Sequence, residues 1–270
     1  MWEYDDKPVE QLFGIGRGYT WGPHSFGIKT EPYLEAFEDQ RLVQYFDKSR
    51  MELSSNARGI PGGSKVTNGL LTKELVTGKR QDGDNTFTQL TPAHIPVAGD
   101  EIGNGVCPTY ASFAFVVTFF PGQNAASNQV SQPIKQSIDR AGVVHPLDTL
   151  PFNLTIGFYE PVLQHNVPDV FYKFMYLSGR VWNGSSYVTA PIYGNNPVAQ
   201  TFGYPVTEPY WTRAVLAGHE KDVLVQLYER RVLTYTPTNP DPYKVEMGNT
   251  GQHYYNWRYS SVGSSNATNG

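Results

Sequence analysis

The sequence predicts a mainly β fold with a few short helices, and three observations lead to this class. Glycine and proline account for 26 and 20 of the 270 residues, which is typical of short strands joined by turns. Aromatic residues make up 14% of the chain and charged residues only 17%, below the roughly 25% of an average soluble domain. Hairpin-like patterns also recur near the two ends of the chain. Together these features argue against a helical bundle and against a disordered chain.

The recurring pattern consists of three short blocks that follow one another in the same order twice. The blocks are residues 26–33, 42–53 and 65–69 in the N-terminal part, and residues 202–210, 224–235 and 244–248 in the C-terminal part. Each first block holds a Phe-Gly pair followed by Glu-Pro-Tyr, and each third block begins with Lys-Val. Three matched blocks in one order predict two diverged copies of one small β unit.

The second block of each copy predicts a β-hairpin. In the N-terminal copy, Val43 and Tyr45 precede a polar Asp-Lys-Ser cluster, and Met51 and Leu53 follow it. The C-terminal copy has the same arrangement around Glu-Arg-Arg. The alternating apolar residues indicate strands with one buried face, and the charged cluster indicates the exposed tip. A lone hairpin is too small to be stable, so each is expected to pack against the rest of the chain.

The C-terminal copy carries an aromatic-Gly-x-Pro motif followed by Thr-Glu and then by a Gln-apolar-aromatic-acidic-basic hairpin, at residues 202–208 and 226–230. This order of motifs resembles the LGFP repeat of bacterial cell-envelope proteins, and it is similar to uncharacterised secreted proteins of Chloroflexota. In that family a short helix precedes the Gly-x-Pro turn. Residues 168–179 are expected to form it here, with an insertion at 180–200, whereas the N-terminal copy lacks both helix and proline. The resemblance implies a secreted or cell-surface location and association with envelope or extracellular glycan, but no particular reaction.

The middle of the chain, which this resemblance leaves unexplained, predicts further β-structure. Apolar or alternating runs at residues 110–120, 129–138 and 153–159 indicate strands, and residues 139–142 indicate a turn. We therefore expect an N-terminal repeat unit at 1–84, a sandwich- or barrel-like middle region at 85–165, a C-terminal repeat unit at 166–260 and a flexible tail at 261–270, forming one compact body. Short helices are expected at 72–76, 169–177 and 251–259.

Charge and hydropathy exclude some classes of partner. The net charge is −4 and no block of Lys or Arg resembles a nucleic-acid footprint, so nucleic acid is not expected as a partner. No apolar run approaches the roughly 18 residues needed to span a bilayer, and the first residues do not have the pattern of a signal peptide. The single cysteine, Cys107, is expected to be a buried small hydrophobe.

The sequence predicts no cofactor and no metal centre. The six histidines are scattered without a His-Glu-x-x-His or His-x-His pair. Residues 82–85, Asp-Gly-Asp-Asn, could contribute to a Ca²⁺ loop but lack the full series of ligands, and a solvated turn is the alternative.

One loop between a predicted strand and a predicted helix, residues 160–169, concentrates polar side chains. Glu160, His165 and Asn166 lie there, and loops on a rigid scaffold are where functional sites concentrate. Glu160 could pair with Asp148 as the two carboxylates of a glycoside hydrolase, with His165 beside them. The structural alternative is that these side chains only hydrogen-bond the loop.

Aromatic side chains in turn- or glycine-rich segments suggest a second kind of site, because flat exposed rings can stack on sugars. The alternative is that the rings fill the small core of each unit. The residues predicted to bind ligand are Tyr110, His165, Asn166, Trp182, Tyr187, Tyr204, Tyr210 and Trp211.

Three functions compete at this point. The first is a secreted or cell-surface module that binds polysaccharide or envelope glycan through aromatic-lined grooves. The second is an extracellular hydrolase acting on polysaccharide or peptidoglycan, and the third is a structural or assembly protein whose units form subunit contacts. The sequence leaves the oligomeric state open.

Overall fold

The computed structural model describes residues 1–54 and 65–260. The fold is mixed α/β and strand-rich, with 32% strand and 19% helix. It contains several small sheets and one six-stranded mixed sheet, and no barrel among the described residues. The predicted richness in strands is confirmed, and the barrel-like alternative for the middle region is wrong. The tail at 261–270 lies outside the described residues.

The described residues contain five α-helices. They are α1 Trp2–Asp5, α2 Lys7–Gln11, α3 Leu71–Thr77, α4 Asp169–Met175 and α5 Thr250–Ser260. The last three confirm the helices expected at 72–76, 169–177 and 251–259. Helices α1 and α2 were not expected.

Sixteen strands belong to the described residues. They are β1 Gly27–Pro32, β2 Gln40–Tyr45, β3 Arg50–Ser54, β4 Lys65–Asn68, β5 Lys79–Gln81, β6 Phe87–Gln89, β7 Gln136–Ile138, β8 Val144–Pro146, β9 Ile156–Glu160, β10 His165–Pro168, β11 Ser178–Trp182, β12 Tyr187–Pro191, β13 Tyr210–Leu216, β14 His219–Leu227, β15 Val232–Tyr235 and β16 Val245–Met247.

The largest sheets are built around the two predicted hairpins. Strands β1 to β4 form a four-stranded antiparallel sheet in sequence order. Strands β13 to β16 form the same meander, and β7 and β8 extend it to the six-stranded order β16-β15-β14-β13-β7-β8. Only the β13–β7 junction is parallel, through a single pair, Trp211 with Ser137.

The two meanders have the same strand register. In the first sheet, the hairpin pairing runs from Leu42–Leu53 at its open end to Tyr45–Arg50 next to the turn. In the second sheet, the equivalent pairs are Leu224–Tyr235 and Leu227–Val232. The turn between the paired strands is closed by Phe46 N–H to Ser49 O in one hairpin and by Tyr228 N–H to Arg231 O in the other. The hairpin prediction is therefore confirmed for both segments.

The aromatic-Gly motif of the N-terminal copy lies earlier than the sequence suggested. The Lys48 N–H donates to Trp21 O, just as the Arg230 N–H donates to Phe202 O. The glycine that follows each aromatic residue has a positive φ, 140° at Gly22 and 80° at Gly203. The counterpart of Phe202-Gly203 is thus Trp21-Gly22, and the pairing of that motif with residues 26–27 is wrong. Helices α1 and α2 precede Trp21, and whether either corresponds to the helix of the resembled repeat stays open to test.

A helix follows the fourth strand of each meander and contacts the other meander. We define the first unit as residues 20–54 and 65–77, and the second unit as residues 201–260. The Lys73 N–H of α3 donates to Glu229 O in the second hairpin at 3.3 Å. Reciprocally, the Gly251 and Gln252 N–H groups of α5 donate to Asp47 O in the first hairpin at 3.0 and 3.1 Å. Each helix therefore begins on the hairpin tip of the opposite unit.

The middle of the chain contains less β-structure than expected. The run at 110–120 was predicted to be a strand, but residues Tyr110–Phe113 form a 3-10 turn. Thr109 caps this turn reciprocally with Ser112, and Tyr110 and Phe113 are both fully buried. A short apolar run does not by itself distinguish a strand from a buried helical turn. Of the run at 129–138 only β7 is a strand, and β7 joins the C-terminal sheet instead of a separate sandwich.

Candidate functional site

The Glu160 carboxylate closes the turn between β9 and β10. Its two oxygens accept the backbone N–H groups of Val162 and Leu163, both at 2.8 Å, and the side chain is buried. Glu160 and His165 are paired residues of the β9–β10 hairpin, so the structure brings these two predicted catalytic residues together. Asp148 lies exposed just after β8. A catalytic role for this set stays a prediction.

His165 and Asn166 are held by a carboxylate that the sequence did not single out. His165 Nδ1 lies 3.0 Å from Glu208 Oε1, and the Asn166 side-chain amide donates to Glu208 Oε2 at 2.8 Å. Gln226 Nε2 donates to Asn166 O at 2.8 Å and completes the contact with the second unit. His165 and Asn166 are fully buried. Their contacts with Glu208 and Gln226 connect β10 with the second unit.

The predicted ligand-binding aromatics fall into two groups. Tyr110, Tyr210 and Trp211 are at most 5% exposed and belong to the hydrophobic cores. Trp182 and Tyr187 instead form a partly exposed pair on the β11–β12 hairpin, with ring centroids 5.0 Å apart.

Tyr204 is also partly exposed. It is partly buried against the core, and its backbone N–H donates to Glu229 Oε2 at 3.0 Å. Trp182, Tyr187 and Tyr204 are thus the predicted rings that are not enclosed in a core, and whether any of the set binds a ligand stays a prediction.

A cavity of about 380 Å³ lies where α2, α4 and the second meander approach the glycine-rich N-terminal run. We call it the aromatic cavity. Its aromatic lining residues are Tyr19, Phe174 and Tyr243, and its charged lining residues are Arg17, Lys48 and Glu246. Ligand pockets typically measure about 300–1,000 Å³ and combine rings with a few polar groups, so this cavity is large enough for a small ring system.

Three separate segments place the rings of the aromatic cavity. Tyr19 follows a run in which Gly14 and Gly16 both have φ of 67°, and its hydroxyl donates to Glu10 Oε1 at 2.5 Å. That hydrogen bond, together with partial burial, raises the pKa of Tyr19 to about 12. Phe174 is on α4, and Tyr243 lies in the turn before β16 with 44% of its surface exposed.

Lys48 comes from the tip of the first hairpin and reaches the second unit. Its Nζ donates to Met247 O at 2.9 Å and to Asn249 Oδ1 at 2.7 Å. Burial lowers the pKa of Lys48 because the charged ammonium is partly removed from water. The equivalent residue of the second hairpin, Arg230, donates in the same way to Asn68 O at the end of β4.

Lys48, Glu246 and Met247 also line a second cavity of about 290 Å³, which we call the polar cavity. Its other lining residues include Asp100, Thr234, Thr236, Asn249 and His253. The three shared residues form a common wall between the aromatic cavity and the polar cavity.

His253 is held as a neutral ring in the polar cavity. Its Nδ1 lies 3.0 Å from the Tyr110 hydroxyl, and its Nε2 lies 3.4 Å from Glu101 Oε1. Burial lowers the pKa of His253 to about 4, so the ring carries one proton at neutral pH. Since a carboxylate can only accept, that proton belongs on Nε2, and Nδ1 accepts from the tyrosine hydroxyl.

No set of three or more potential metal ligands gathers anywhere in residues 1–54 and 65–260. In the acidic turn at 82–85, the Asp82 carboxylate is bound by Arg80 and by Thr88. Asp84 Oδ1 accepts the Tyr33 hydroxyl at 2.6 Å. These contacts give both carboxylates a role within the protein.

Comparison with protein-family models, with curated proteins and with solved structures found no match. Within the described residues, no helix has the length and apolar character needed to cross a bilayer.

The sequence did not single out Tyr19, Phe174 or Tyr243. The available signals were indirect: the glycine-rich run at 14–18 precedes Tyr19, Phe174 falls on a predicted helix, and Tyr243 follows a proline-rich turn. Because these signals lie far apart in the chain, nothing local indicates that the rings share one cavity.

Proposed function

We propose that this protein is a glycan-binding module and that the aromatic cavity is its binding site. The observation that carries the proposal is the combination of Tyr19, Phe174 and Tyr243 with Lys48 and Glu246 around one cavity. Sugars present apolar ring faces and polar edges, so a site with both kinds of group matches them. The neighbouring polar cavity offers hydroxyl and carboxylate groups to a second sugar of the same chain.

The proposed site differs from the one expected from sequence. Tyr210 and Trp211 are enclosed in the cores, whereas Tyr243 is 44% exposed and lies at the cavity. Among the rings expected from sequence, Trp182 and Tyr187 form the alternative platform. The ring of Trp182 already receives the Lys7 ammonium at 3.6 Å from its centroid. The aromatic cavity is favoured because it also supplies polar partners from several directions.

We propose further that the two units are diverged copies of one four-strand-plus-helix motif related to the LGFP repeat. The equal register of the two hairpins and the equivalent contacts of Trp21 and Phe202 support a duplication. If the structure of an LGFP-repeat protein had a strand register different from that of these two hairpins, the proposed kinship would be contradicted. The kinship is also the basis for proposing a secreted or cell-surface location, which fractionation of the source cells would test.

Replacing Tyr243 with alanine is expected to weaken glycan binding at least tenfold, about 1.4 kcal/mol, because the stacking surface is lost. The measurement is isothermal titration of the whole protein with the glycan that binds best on an array of neutral and acidic polysaccharides. Tyr187→Ala is the matched control, since it removes a partly exposed tyrosine outside the cavity and is expected to keep the wild-type affinity. Loss of binding in Tyr187→Ala alone would move the site to the β11–β12 hairpin, and an array with no binder would remove the proposed function.

A further inference from the structure

The aromatic cavity is lined by two basic side chains from different parts of the fold. Arg17 belongs to the glycine-rich N-terminal run, and Lys48 belongs to the tip of the first hairpin. Arginine stays charged under all ordinary conditions, so the cavity always carries at least one cation at its wall. The contacts of Arg17 and Lys48 within the protein decide how far these charges are compensated.

Lys48 is bound only by neutral acceptors among the described residues. Its two hydrogen bonds go to a backbone carbonyl, Met247 O, and to an amide oxygen, Asn249 Oδ1. An ammonium has three donors, so one remains for a further acceptor. Among the described residues Nζ forms no direct ion pair, although the more distant carboxylates of Glu246, Asp47 and Asp6 partly offset the effect of burial on its pKa.

Arg17 is also incompletely compensated. Its Nη2 donates to the carbonyl oxygens of Asp5 and Arg180, which are neutral. The Asp6 carboxylate is the nearest counter-charge, with Oδ1 at 3.9 Å from Nη1. Both Asp6 oxygens are already engaged, because they accept three backbone N–H groups of residues 20–22. Arg17 is 7% exposed, and its Nε and Nη1 have no hydrogen-bond partner among the described protein atoms.

Glu246 alone contributes a carboxylate to the lining of the aromatic cavity, as far as the described residues go. Its Oε2 accepts from Asn239 Nδ2 at 3.3 Å. Two lining cations therefore face one lining carboxylate around a space of about 380 Å³, and the Asp6 carboxylate lies 3.9 Å from Arg17 outside the lining. Charges on the wall of a partly enclosed cavity interact more strongly than on an open surface, so this excess of lining cations favours an anionic group in the ligand.

We propose that the aromatic cavity selects glycans that carry a carboxylate, such as uronic-acid chains, with the carboxylate beside Arg17 and Lys48 and a sugar ring against Tyr243. The inference rests on the proposed function and adds the class of glycan. It also assigns Arg17 and Lys48 as the residues that determine specificity.

The test compares one glycan in two charge states, which leaves the protein unchanged. Tetragalacturonate and its fully methyl-esterified form are titrated into the whole wild-type protein by calorimetry at low and at high salt. The acid is expected to bind at least tenfold more tightly than the ester, and its affinity is expected to fall with added salt while that of the ester does not.

The outcomes of this comparison distinguish failure of the charge selectivity from failure of the proposed glycan function. Equal affinity for acid and ester would overturn the charge selectivity and leave the proposed glycan function standing. Binding of neither form, while an array finds a neutral glycan that binds, would overturn it as well. Binding of no glycan at all would remove the proposed function itself.

A variant then assigns the selectivity to the cavity. Lys48→Met keeps the aliphatic stem but removes the charge, and it is expected to weaken binding of the acid about tenfold while leaving the ester unchanged. Lys173→Met is the control, because Lys173 is exposed on α4 and pairs with Asp169 outside the cavity. Unchanged acid-to-ester selectivity in a folded Lys48→Met protein would contradict the assignment of Lys48. If that variant does not fold, Lys48→Gln provides the same comparison, because it also removes the charge and keeps a polar end at this position.

Discussion

Gly251→Ala is expected to lower the free energy of unfolding by about 3 kcal/mol or more, at the upper end of overpacking effects. Gly251 lies in the first turn of α5, where the helix of the second unit begins on the hairpin of the first. A Cβ at this position would lie 2.6 Å from Ser49 O and 2.7 Å from Ser49 N, and it would also overlap Phe46 O. Backbone atoms cannot move aside as a flexible side chain can, so the helix must shift away from the hairpin.

The control for this prediction is Gly248→Ala, three residues earlier. The nearest atom to a Cβ there is Val232 Cβ at 3.4 Å, so a change below about 1 kcal/mol is expected. Both variants are measured by denaturant unfolding with the wild type alongside. Equal stability of Gly251→Ala and the wild type would contradict the close docking of α5 on the first hairpin.

Arg50→Met is expected to cost about 3–5 kcal/mol of unfolding free energy, the range for removal of one partner from a buried ion pair. Arg50 is fully buried and contacts Glu52 at 2.7 Å, Glu31 at 3.3 Å and Glu74 at 3.4 Å. Burial opposes ionisation of Glu31, yet Arg50 and Arg258 hold the pKa of that carboxyl below its usual value. Without Arg50, three buried carboxyl groups would lose their central cation.

Arg213→Met is the matched control for the loss of charge. Arg213 also binds two carboxylates, Glu220 at 2.8 Å and Asp222 at 2.9 Å, but all three side chains are more than 40% exposed. Exposed pairs contribute little, so the expected loss is below about 1 kcal/mol. A similar loss in both variants, by the same denaturant unfolding measurement, would show that burial does not govern this network.

The buried network belongs to the contact between the units. Arg258 of α5 lies 3.2 Å from Glu31 of β1, and the Tyr259 hydroxyl donates to the same carboxylate at 2.7 Å. Tyr254 of α5 donates to Glu74 of α3 at 2.5 Å. The second unit thus supplies side chains that bind the charged core of the first unit.

The sequence predicted the local parts of the fold better than the long-range parts. The hairpins around residues 47 and 229 were predicted correctly because about a dozen consecutive residues contain both the alternating apolar pattern of the strands and the polar cluster of the turn. The aromatic-Gly motif was misplaced because two Gly-containing segments, at 22 and at 27, compete in the N-terminal copy. The choice between them depends on the hydrogen bond from Lys48 to Trp21, which no local pattern reveals.

The candidate site was predicted less well for the same reason. Tyr210 and Trp211 were predicted to bind ligand because they lie in a turn- or glycine-rich segment. The alternative, that such rings fill the core, describes them better, because β13 is buried over its first three residues. The rings of the aromatic cavity come from segments around 19, 174 and 243, which meet only through tertiary packing. Lys48 lies at the hairpin tip as predicted, but no local pattern indicates that this tip docks on the second unit and places Lys48 in a cavity wall.

The most direct test of the proposed site is a crystal structure of the protein with a bound acidic oligosaccharide. We expect a sugar ring in the aromatic cavity against Tyr243 and Phe174, with its carboxylate within hydrogen-bonding distance of Lys48 or Arg17. An oligosaccharide bound instead on Trp182 and Tyr187, with the aromatic cavity holding no part of it, would contradict the account.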